Sequence, residues 1–387
     1  MQDQNAHLFV QTYKKKPLVV DKGDGTFFQA NNGKKYLDFL SGIAINNLGY
    51  GNAAIKDRIT KQLDKIIHPS NYYYTDVQIK LAEKLIKTSG LDKVFYANSG
   101  TEANEACLTF LQAYSKSVNK NEIIVLEGSF FGRTYGASIL ATGGNFYGLK
   151  ITTVPFNDAD TLQKAISEKT LAIGLELVLG HGGIKAADSA VIDVISAKQE
   201  QYGTVVMVDE VQTGLGRTGS LFRFQKLGLK PDLVTLGKSL GGGLPLSTAL
   251  VSGRIAKLVQ PGSYGCTMGG NSLACAAGLA ILETLEDSKT LEKINEKSTL
   301  LHKKLTSLFK NYPHIIKDVR CFGLMCGLEL KDTETAVSVV SACLENGLLV
   351  DVVNKNTIRI APPFTVSDEE IAQAESILQT VFSSYEV

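Results

Sequence analysis

The amino-acid sequence predicts an α/β protein in which a mostly parallel, seven-stranded sheet domain is followed by a smaller α+β domain. The first observation is a series of short apolar runs between Lys93 and Val251, which alternate with helical patterns. These runs show no polar alternation, as is typical of strands that helices cover on both faces of a parallel sheet. The second observation is a change beyond Gly253, where long helical patterns surround only a few strands.

Each element of the large domain has its own signal. The strands are predicted from apolar runs at Val94–Ala97, Ile123–Leu126, Ile151–Val154, Ala172–Leu177, Val205–Val208, Leu233–Leu236 and Thr248–Val251. Crossover helices are predicted after Ser99 and around Val191–Gln201, where apolar residues recur at helical spacing.

The small domain is predicted from longer helical patterns. Helices are expected at Ser272–Leu285, Leu291–Phe309, Thr335–Asn346 and Asp368–Phe382, with strands at Leu324–Leu330 and Thr357–Ile360. We therefore expect an N-terminal segment over 1–48 that packs with the small domain, a large domain over 49–253 and a small C-terminal domain over 254–387.

The composition excludes several classes of protein. Forty Lys and Arg residues against 39 Asp and Glu leave a formal net charge of +1, without the positive surplus that nucleic-acid binding needs. No apolar run approaches membrane-spanning length, and the N-terminus has no apolar signal segment. Six scattered cysteines and five distant histidines show no metal-ligand spacing, so no metal site is expected. Scattered free thiols are typical of a reducing compartment, which predicts a cytoplasmic protein.

Ligands of open α/β sheets bind beyond the carboxyl ends of the strands, and the first such end carries Asn98-Ser99-Gly100-Thr101-Glu102. Ser99 and Glu102 form a capping box, which satisfies two amide donors of the following helix. The amides of Gly100 and Thr101 stay free at the positive end of the helix dipole, which favours a phosphate. The alternative interpretation is an ordinary helix N-cap.

Two charged residues follow other apolar strands. Asp209 comes directly after Val205–Val208, and a buried carboxylate needs a cation or a strong donor. A structural partner such as Arg217 is the alternative. Lys238 leaves Leu233–Leu236 for a glycine-rich loop, where a depressed pKa would make it a Schiff-base nucleophile. A snorkelling or phosphate-pairing lysine is the alternative there.

A fourth strand end carries Phe130-Phe131-Gly132-Arg133. Phe130 could stack on a planar cofactor, and Arg133 could bind a carboxylate through two hydrogen bonds. Core packing is the alternative, and we expect it for Phe131. A phosphate seat, a buried Asp, a Schiff-base Lys and a stacking aromatic together describe a pyridoxal phosphate site.

Two glycine motifs offer competing interpretations. Gly237-Lys238-Ser239 resembles the end of a P-loop, but Asp232 stands where that loop needs its first glycine. The segment 214–219 fits GxGxxG, yet residues 209–213 separate it from the strand, and Asp232 begins the next strand instead of ending it. We therefore set aside a P-loop NTPase and a nicotinamide dehydrogenase.

Five motifs in order resemble those of the class-III aminotransferases, which are fold-type I pyridoxal phosphate enzymes: NSGTEANE (98–105), SFFGRT (129–134), DEVQTGLGRTG (209–219), TLGKSLGGGLP (235–245) and TMGGNSLA (267–274). The resemblance runs from LFVQTYKKKPLVVDKGDG (8–25) to IRIAPPFTVSDEEI (358–371). The N-terminal motifs HLFVQTYKKKPLV and YLDFLSGIAINNLG are most similar to the N-acetylornithine branch of this family.

The resemblance implies a role for each matching residue. Lys238 would hold the cofactor and move a proton between substrate and cofactor, and Asp209 would pair with the ring nitrogen. The other cofactor contacts that it implies are Gly100 and Thr101 to the phosphate, Phe130 and Val211 to the ring, Gln212 to the phenolic oxygen, and Thr267 to the phosphate of the other subunit in a homodimer. On the substrate side it implies Arg133 and Tyr13 for the carboxylate of an acylated donor, Arg359 for the α-carboxylate of glutamate or 2-oxoglutarate, and positions 181 and 266 nearby.

Several positions depart from the family pattern. Where the family reads Glu-Pro-x-x-Gly-Glu, the corresponding segment of this chain, 176–181, has His181 in place of the last Glu. In the family that Glu normally covers the glutamate-binding arginine. A neutral His181 would leave Arg359 more open and favour glutamate as donor. Cys266 and Phe131 replace the usual Ser and His, and an apolar Ile43 suits an acylated amine or 4-aminobutyrate.

The predicted activity is transfer of an amino group from N2-acetyl-L-ornithine to 2-oxoglutarate, giving N-acetyl-L-glutamate 5-semialdehyde and L-glutamate. The alternatives are another ω-aminotransferase, acting on N-succinylornithine, ornithine, 4-aminobutyrate or N-succinyldiaminopimelate, a racemase or aminomutase of the same class, and a non-catalytic relative that binds pyridoxal phosphate.

Overall fold

A computed structural model describes residues 6–385 of the chain. Its strands are β1 (Val20–Asp24), β2 (Phe27–Ala30), β3 (Lys35–Asp38), β4 (Lys93–Ala97), β5 (Glu122–Leu126), β6 (Gly144–Phe146), β7 (Leu149–Val154), β8 (Thr170–Glu176), β9 (Val205–Asp209), β10 (Leu233–Leu236), β11 (Ser247–Val251), β12 (Ile316–Phe322), β13 (Met325–Leu330), β14 (Leu348–Leu349), β15 (Asp351–Val353) and β16 (Thr357–Ile360).

The helices alternate with these strands in the first two thirds of the chain and are longer near its end. They are α1 (Ser41–Ala44), α2 (Ala53–Leu63), α3 (Asp76–Ser89), α4 (Gly100–Val118), α5 (Tyr135–Thr142), α6 (Ala159–Ala165), α7 (Ser189–Tyr202), α8 (Arg223–Lys226), α9 (Gly253–Ala256), α10 (Ser272–Glu286), α11 (Ser288–Asn311), α12 (Thr333–Glu345) and α13 (Asp368–Ser383).

The large sheet has the strand order β4-β11-β10-β9-β8-β5-β7-β6. The pairs β10–β9, β9–β8, β8–β5 and β5–β7 are parallel, whereas β11 runs antiparallel to both its neighbours. Strands β8 to β11 are buried along their whole length, which explains why their sequences are apolar without alternation. The predicted α/β class is confirmed, and the carboxyl ends of β8, β9 and β10 lie side by side.

The predicted number of seven strands is wrong, because the sheet has an eighth strand at its edge. This strand, β6, pairs antiparallel with β7 through only three residues. Its first residue, Gly144, has a φ of 138°, and Asn145 follows it, so no apolar run marks the strand. A short edge strand of this kind carries no periodic signal.

Two smaller sheets flank the large one. The antiparallel order β12-β13-β16-β15 forms one sheet, and β1-β2-β3-β14 forms the other. In the second sheet β14 pairs in parallel with β3, so Leu348 lies beside Leu37 although the two are far apart in the chain. Backbone hydrogen bonds therefore join the N-terminal segment to the C-terminal part of the chain.

One prediction about the cysteines is corrected. Cys321 and Cys326 form a disulfide with Cα atoms 4.2 Å apart, and they lie opposite each other on β12 and β13. The five-residue separation of the two cysteines does not by itself predict the hairpin register that brings them together. Across residues 6–385, no helix is long and apolar enough to cross a membrane, and no group of His, Cys, Asp and Glu side chains is arranged to hold a metal ion.

Candidate active site

The first strand end has the local structure that its residues predict. The capping box is confirmed: the Ser99 amide donates to Glu102 Oε2 over 2.8 Å, and the Glu102 amide donates to Ser99 Oγ over 3.4 Å. Within the described part of the chain, the amides of Gly100 and Thr101 donate to no acceptor. A Cβ on Gly100 would lie 2.8 Å from the Val211 side chain, so only glycine fits there. Two free amides therefore point away from the N-terminus of α4.

Asp209 is the last residue of β9, and it is 2% exposed. Its carboxylate accepts hydrogen bonds from Asn104 Nδ2 over 2.7 Å and from the Val211 amide over 2.8 Å. Burial raises the pKa of Asp209, while the Asn104 hydrogen bond opposes the shift. Arg217 is not its partner, because that guanidinium donates to backbone carbonyls outside the site. Asp209 therefore fits a cation, which would lower its pKa again.

Lys238 is the second residue after β10, from which Gly237 separates it. Its backbone has a φ of 45°, an uncommon conformation for a lysine, which is typical of functional sites. Loss of contact with water lowers the pKa of Lys238, although the charges of Asp209 and Glu176 oppose the shift. The depressed pKa agrees with the sequence prediction. A neutral amine in this position is a nucleophile and a base.

Glu176 is a buried acid of the site that no sequence motif identified as a functional candidate. It ends β8, pairs in register with Asp209 on β9, and accepts a hydrogen bond from the Phe130 amide over 2.8 Å. Burial and the neighbouring Asp209 raise the pKa of Glu176 to about 8. The available signal was an acidic residue at the carboxyl end of an apolar run, the same signal that identified Asp209.

The aromatic segment after β5 divides as predicted. Phe131 is buried in the core, whereas one face of the Phe130 ring stacks on His181 with 4.4 Å between ring centroids. The Arg133 guanidinium lies 6.0 Å from the Phe130 centroid. Burial, assisted by the charge of Arg359, lowers the pKa of His181 to about 4, so this imidazole is neutral at neutral pH.

The expectation that Arg359 is left more open is wrong. Arg359 is 1% exposed, and its guanidinium binds both carboxylate oxygens of Asp351, over 2.6 and 3.1 Å. It also donates to Gln212 Oε1 over 3.1 Å and to the Gly180 carbonyl over 3.2 Å. Asp351 lies directly opposite Arg359 in the β15–β16 register, and no motif in the sequence predicts that register.

A cavity of about 550 Å³ collects most of the predicted site. The predicted residues that line it are Tyr13, Gly100, Thr101, Phe130, Arg133, Asp209, Val211 and Lys238, together with the unpredicted Glu176 and Asn104. Gln212, His181 and Arg359 do not line it, and they contact one another or Phe130 as described above.

Cys266 and Thr267 lie elsewhere. Asn98 Nδ2 is 3.0 Å from Cys266 Sγ, and Asn71 Nδ2 donates to the carbonyls of Cys266 and Thr267. Cys266 lines a second cavity of about 450 Å³. Ile43 is partly exposed at a φ of 66°, and it does not line the first cavity.

The donor set fits pyridoxal phosphate. The free amides of Gly100 and Thr101 suit a phosphate, the buried Asp209 suits a protonated ring nitrogen, and Lys238 suits an aldehyde. A Cβ on Gly132 would lie 2.0 Å from Thr101 Oγ1, so the backbone closes tightly around this seat. Fold and site together define a pyridoxal phosphate-dependent enzyme.

Comparison with known proteins places the chain in a family. The family model Aminotransferase class-III matches residues 9–382, so the chain belongs to the class-III aminotransferases, which are pyridoxal phosphate-dependent. Two relatives named acetylornithine aminotransferase are each 40% identical to it. The one from Methanocaldococcus jannaschii aligns with 97% of this chain and 96% of its own length, and the one from Listeria monocytogenes with 98% and 97%.

Solved structures give the same result for the fold. The N-acetylornithine aminotransferase of Stenotrophomonas maltophilia superposes with a TM-score of 0.85 at 28% identity, over 96% of this chain and 97% of that one. The ornithine aminotransferase of Toxoplasma gondii superposes with a TM-score of 0.91 at 26% identity, over 99% and 94%. Structural similarity alone therefore does not distinguish an enzyme that acts on acylated ornithine from one that acts on free ornithine.

Proposed function

We propose that the protein transfers the δ-amino group of N2-acetyl-L-ornithine to 2-oxoglutarate, forming N-acetyl-L-glutamate 5-semialdehyde and L-glutamate in arginine biosynthesis. The observation that carries the proposal is one cavity that Lys238, Asp209 and Arg133 line together. A second arginine, Arg359, donates a hydrogen bond to Gln212 near this cavity. Two arginines suit a reaction in which both substrates carry carboxylates. The name shared by the 40% identical relatives supports the choice of acylated ornithine.

The cofactor site supplies the chemistry that both half-reactions share. When bound, pyridoxal phosphate supplies an electron sink and carries the amino group from donor to oxo acid. Lys238 Nζ, with its lowered pKa, accepts the proton from Cδ of the donor and later delivers one to Cα of the new glutamate. Asp209 would stabilise positive charge on the ring nitrogen, and Gly100 and Thr101 would hold the phosphate with their free amides.

The remaining residues orient the substrates. Arg133 and Tyr13, both on the cavity wall, bind the carboxylate of acetylornithine so that Cδ points towards Lys238. Arg359 binds the α-carboxylate of glutamate or 2-oxoglutarate. Phe130 contributes one ring face to His181, and its other face would stack on the cofactor ring. Glu176 positions this aromatic segment through the Phe130 amide.

The active unit that we propose is a homodimer in which Thr267 and Cys266 complete the site of the other subunit. Support comes from an exposed apolar surface beside them, formed by Ile66, Ile67, Tyr72, Tyr73, Tyr74 and Met268. Asn71 joins this surface to the Thr267 loop through its two hydrogen bonds. Mixing inactive Lys238→Ala and Thr267→Ala subunits should regenerate activity if sites are shared, and separate sites would leave the mixture no better than its parts.

We also propose that the protein works in the cytoplasm. Cys107, Cys275 and Cys343 are buried thiols without a bonded partner, as expected in a reducing compartment. The Cys321–Cys326 disulfide is the observation that opposes this location. Cell fractionation followed by immunodetection tests the proposal, and recovery outside the cytoplasmic fraction would overturn it.

The substrate assignment is tested by recording the absorbance of the holoenzyme with one donor at a time and no oxo acid. N-acetylornithine and glutamate should each convert the bound cofactor to its amino form, and Lys238→Ala should abolish both changes. If glutamate converts the cofactor and N-acetylornithine does not, the assignment fails. Ornithine, N-succinylornithine and 4-aminobutyrate would then be screened in the same way.

A further inference from the structure

Arg359 is the most completely enclosed guanidinium on the substrate side of the site. Its side chain is 1% exposed, whereas the Asp351 side chain is 28% exposed. The two side chains are joined by two hydrogen bonds, from Arg359 Nε and Nη2 to the two oxygens of Asp351. The remaining donor, Nη1, binds Gln212 and Gly180. Each side of the guanidinium fork is therefore already occupied by protein.

A substrate carboxylate can bind Arg359 through two hydrogen bonds only if Asp351 gives up its own. The exposures of the two side chains show which of them can move. Apart from Asp351, Arg359 is held by two hydrogen bonds inside the protein, to Gln212 and Gly180, whereas the Asp351 side chain reaches water and can rotate towards it. Two carboxylates cannot share the same edge of a guanidinium without strong repulsion.

The neighbouring His181 cannot replace Asp351 as a counter-charge. Its pKa is lowered to about 4, so the ring carries no charge at neutral pH and offers no carboxylate. Its face is also occupied by the Phe130 ring. Among the ion pairs of residues 6–385, Asp351 is the acidic partner of Arg359.

We propose that Asp351 is a specificity-determining gate. Its ion pair with Arg359 stays closed while a donor that does not use Arg359 is bound, and it must open before a dicarboxylic substrate binds. The inference rests on the proposed function, because it takes Arg359 as the site of the glutamate α-carboxylate. The closed pair lowers the apparent affinity for glutamate and 2-oxoglutarate by the fraction of molecules in which the gate is open. Binding of N-acetylornithine leaves the pair closed, so its affinity is unaffected.

The first test is equilibrium binding of glutarate, an unreactive dicarboxylate, to the holoenzyme by titration calorimetry. Asp351→Asn should bind glutarate about tenfold more tightly than the wild type, because the gate no longer competes for Arg359. Asp351→Ser provides a second variant with a shorter side chain. Asp318→Asn is the matched control, because it removes the charge of another strand aspartate, paired with Arg320 over 2.6 Å, and should leave the Kd unchanged.

The second test measures the two half-reactions separately by the absorbance of the cofactor. In Asp351→Asn the glutamate concentration that gives half the maximal rate should fall about tenfold with the limiting rate little changed, while that for N-acetylornithine stays the same. Weaker or unchanged glutarate binding in both Asp351 variants would overturn the gate, since weaker binding would mean that Asp351 only positions Arg359. If N-acetylornithine alone gives no half-reaction, the proposed substrate is wrong. Glutarate binding and the glutamate half-reaction would still test the gate.

Discussion

Gly132→Ala should weaken cofactor binding through a single steric contact. A Cβ at position 132 would lie 2.0 Å from Thr101 Oγ1 and 2.3 Å from Thr101 Cβ. Thr101 would therefore have to retreat by about 1 Å, which also disturbs its 2.9 Å hydrogen bond to Thr134 Oγ1. Overpacking of this kind costs about 1–3 kcal/mol, and the lost hydrogen bond about 1 kcal/mol. Since we propose that Thr101 holds the phosphate, a loss of about 1.4–2.8 kcal/mol of this total from cofactor binding would raise the Kd for pyridoxal phosphate about tenfold to a hundredfold.

The assay is titration of the apoprotein with pyridoxal phosphate, followed by absorbance. Gly148→Ala is the matched control, because Gly148 also has a positive φ, of 88°, but a Cβ there would meet nothing within 4 Å. The control isolates the backbone strain common to both variants and should leave the Kd unchanged. A Gly132→Ala protein that binds the cofactor like the wild type would refute the assignment of Thr101 to the phosphate seat.

Three further predictions concern buried charges. Because the pKa of Glu176 is raised to about 8, its proton stabilises the folded state at low pH. As the pH rises from about 5 to 8, the wild-type apoprotein should lose free energy of unfolding relative to Glu176→Gln by roughly 1 kcal/mol per pH unit. Urea unfolding of both proteins across this range measures the difference. His181→Glu adds a second carboxylate near Arg359 and should lower the ratio of the glutamate to the N-acetylornithine half-reaction rate; an unchanged ratio would contradict this. Arg217→Leu leaves the carbonyls of Leu324 and Pro362 without their donor and should cost about 2–3 kcal/mol of unfolding free energy, and a loss below about 1 kcal/mol would be inconsistent with that.

Much of the cofactor site could be predicted because its signals are local. The Ser99–Glu102 capping box spans four residues, so its hydrogen bonds follow from the sequence alone. Asp209 and Lys238 each follow an apolar run, and parallel strands bring such ends to one edge of the sheet. Periodicity also located the long helices to within three residues at each end, with the largest difference at the start of α11, predicted at Leu291 and found at Ser288.

The features that escaped prediction depend on the register between distant or irregular segments. The Cys321–Cys326 disulfide follows from the β12–β13 pairing, and the edge strand β6 has no apolar run. Arg217 was a candidate partner for Asp209, yet it does not line the cavity and instead binds carbonyls of two loops that are distant in the sequence. Nothing in the GxGxxG segment around it indicates which loops pack there.

The error about Arg359 came from considering position 181 in isolation. Replacement of a carboxylate by a histidine removes one acceptor near Arg359, but a guanidinium that is 1% exposed still needs partners for its donors, and Asp351 accepts two of its hydrogen bonds. Arg359 lies in the apolar strand Thr357–Ile360, so its burial could have been predicted, and a buried guanidinium requires nearby acceptors, of which a carboxylate is the strongest. Asp351, eight residues upstream and separated by a turn containing Asn354 and Lys355, was the acid that a hairpin would place opposite it. The need of a buried guanidinium for acceptors is therefore a signal for strand register that the sequence carries, and here it points to Asp351, the residue that we propose controls substrate choice.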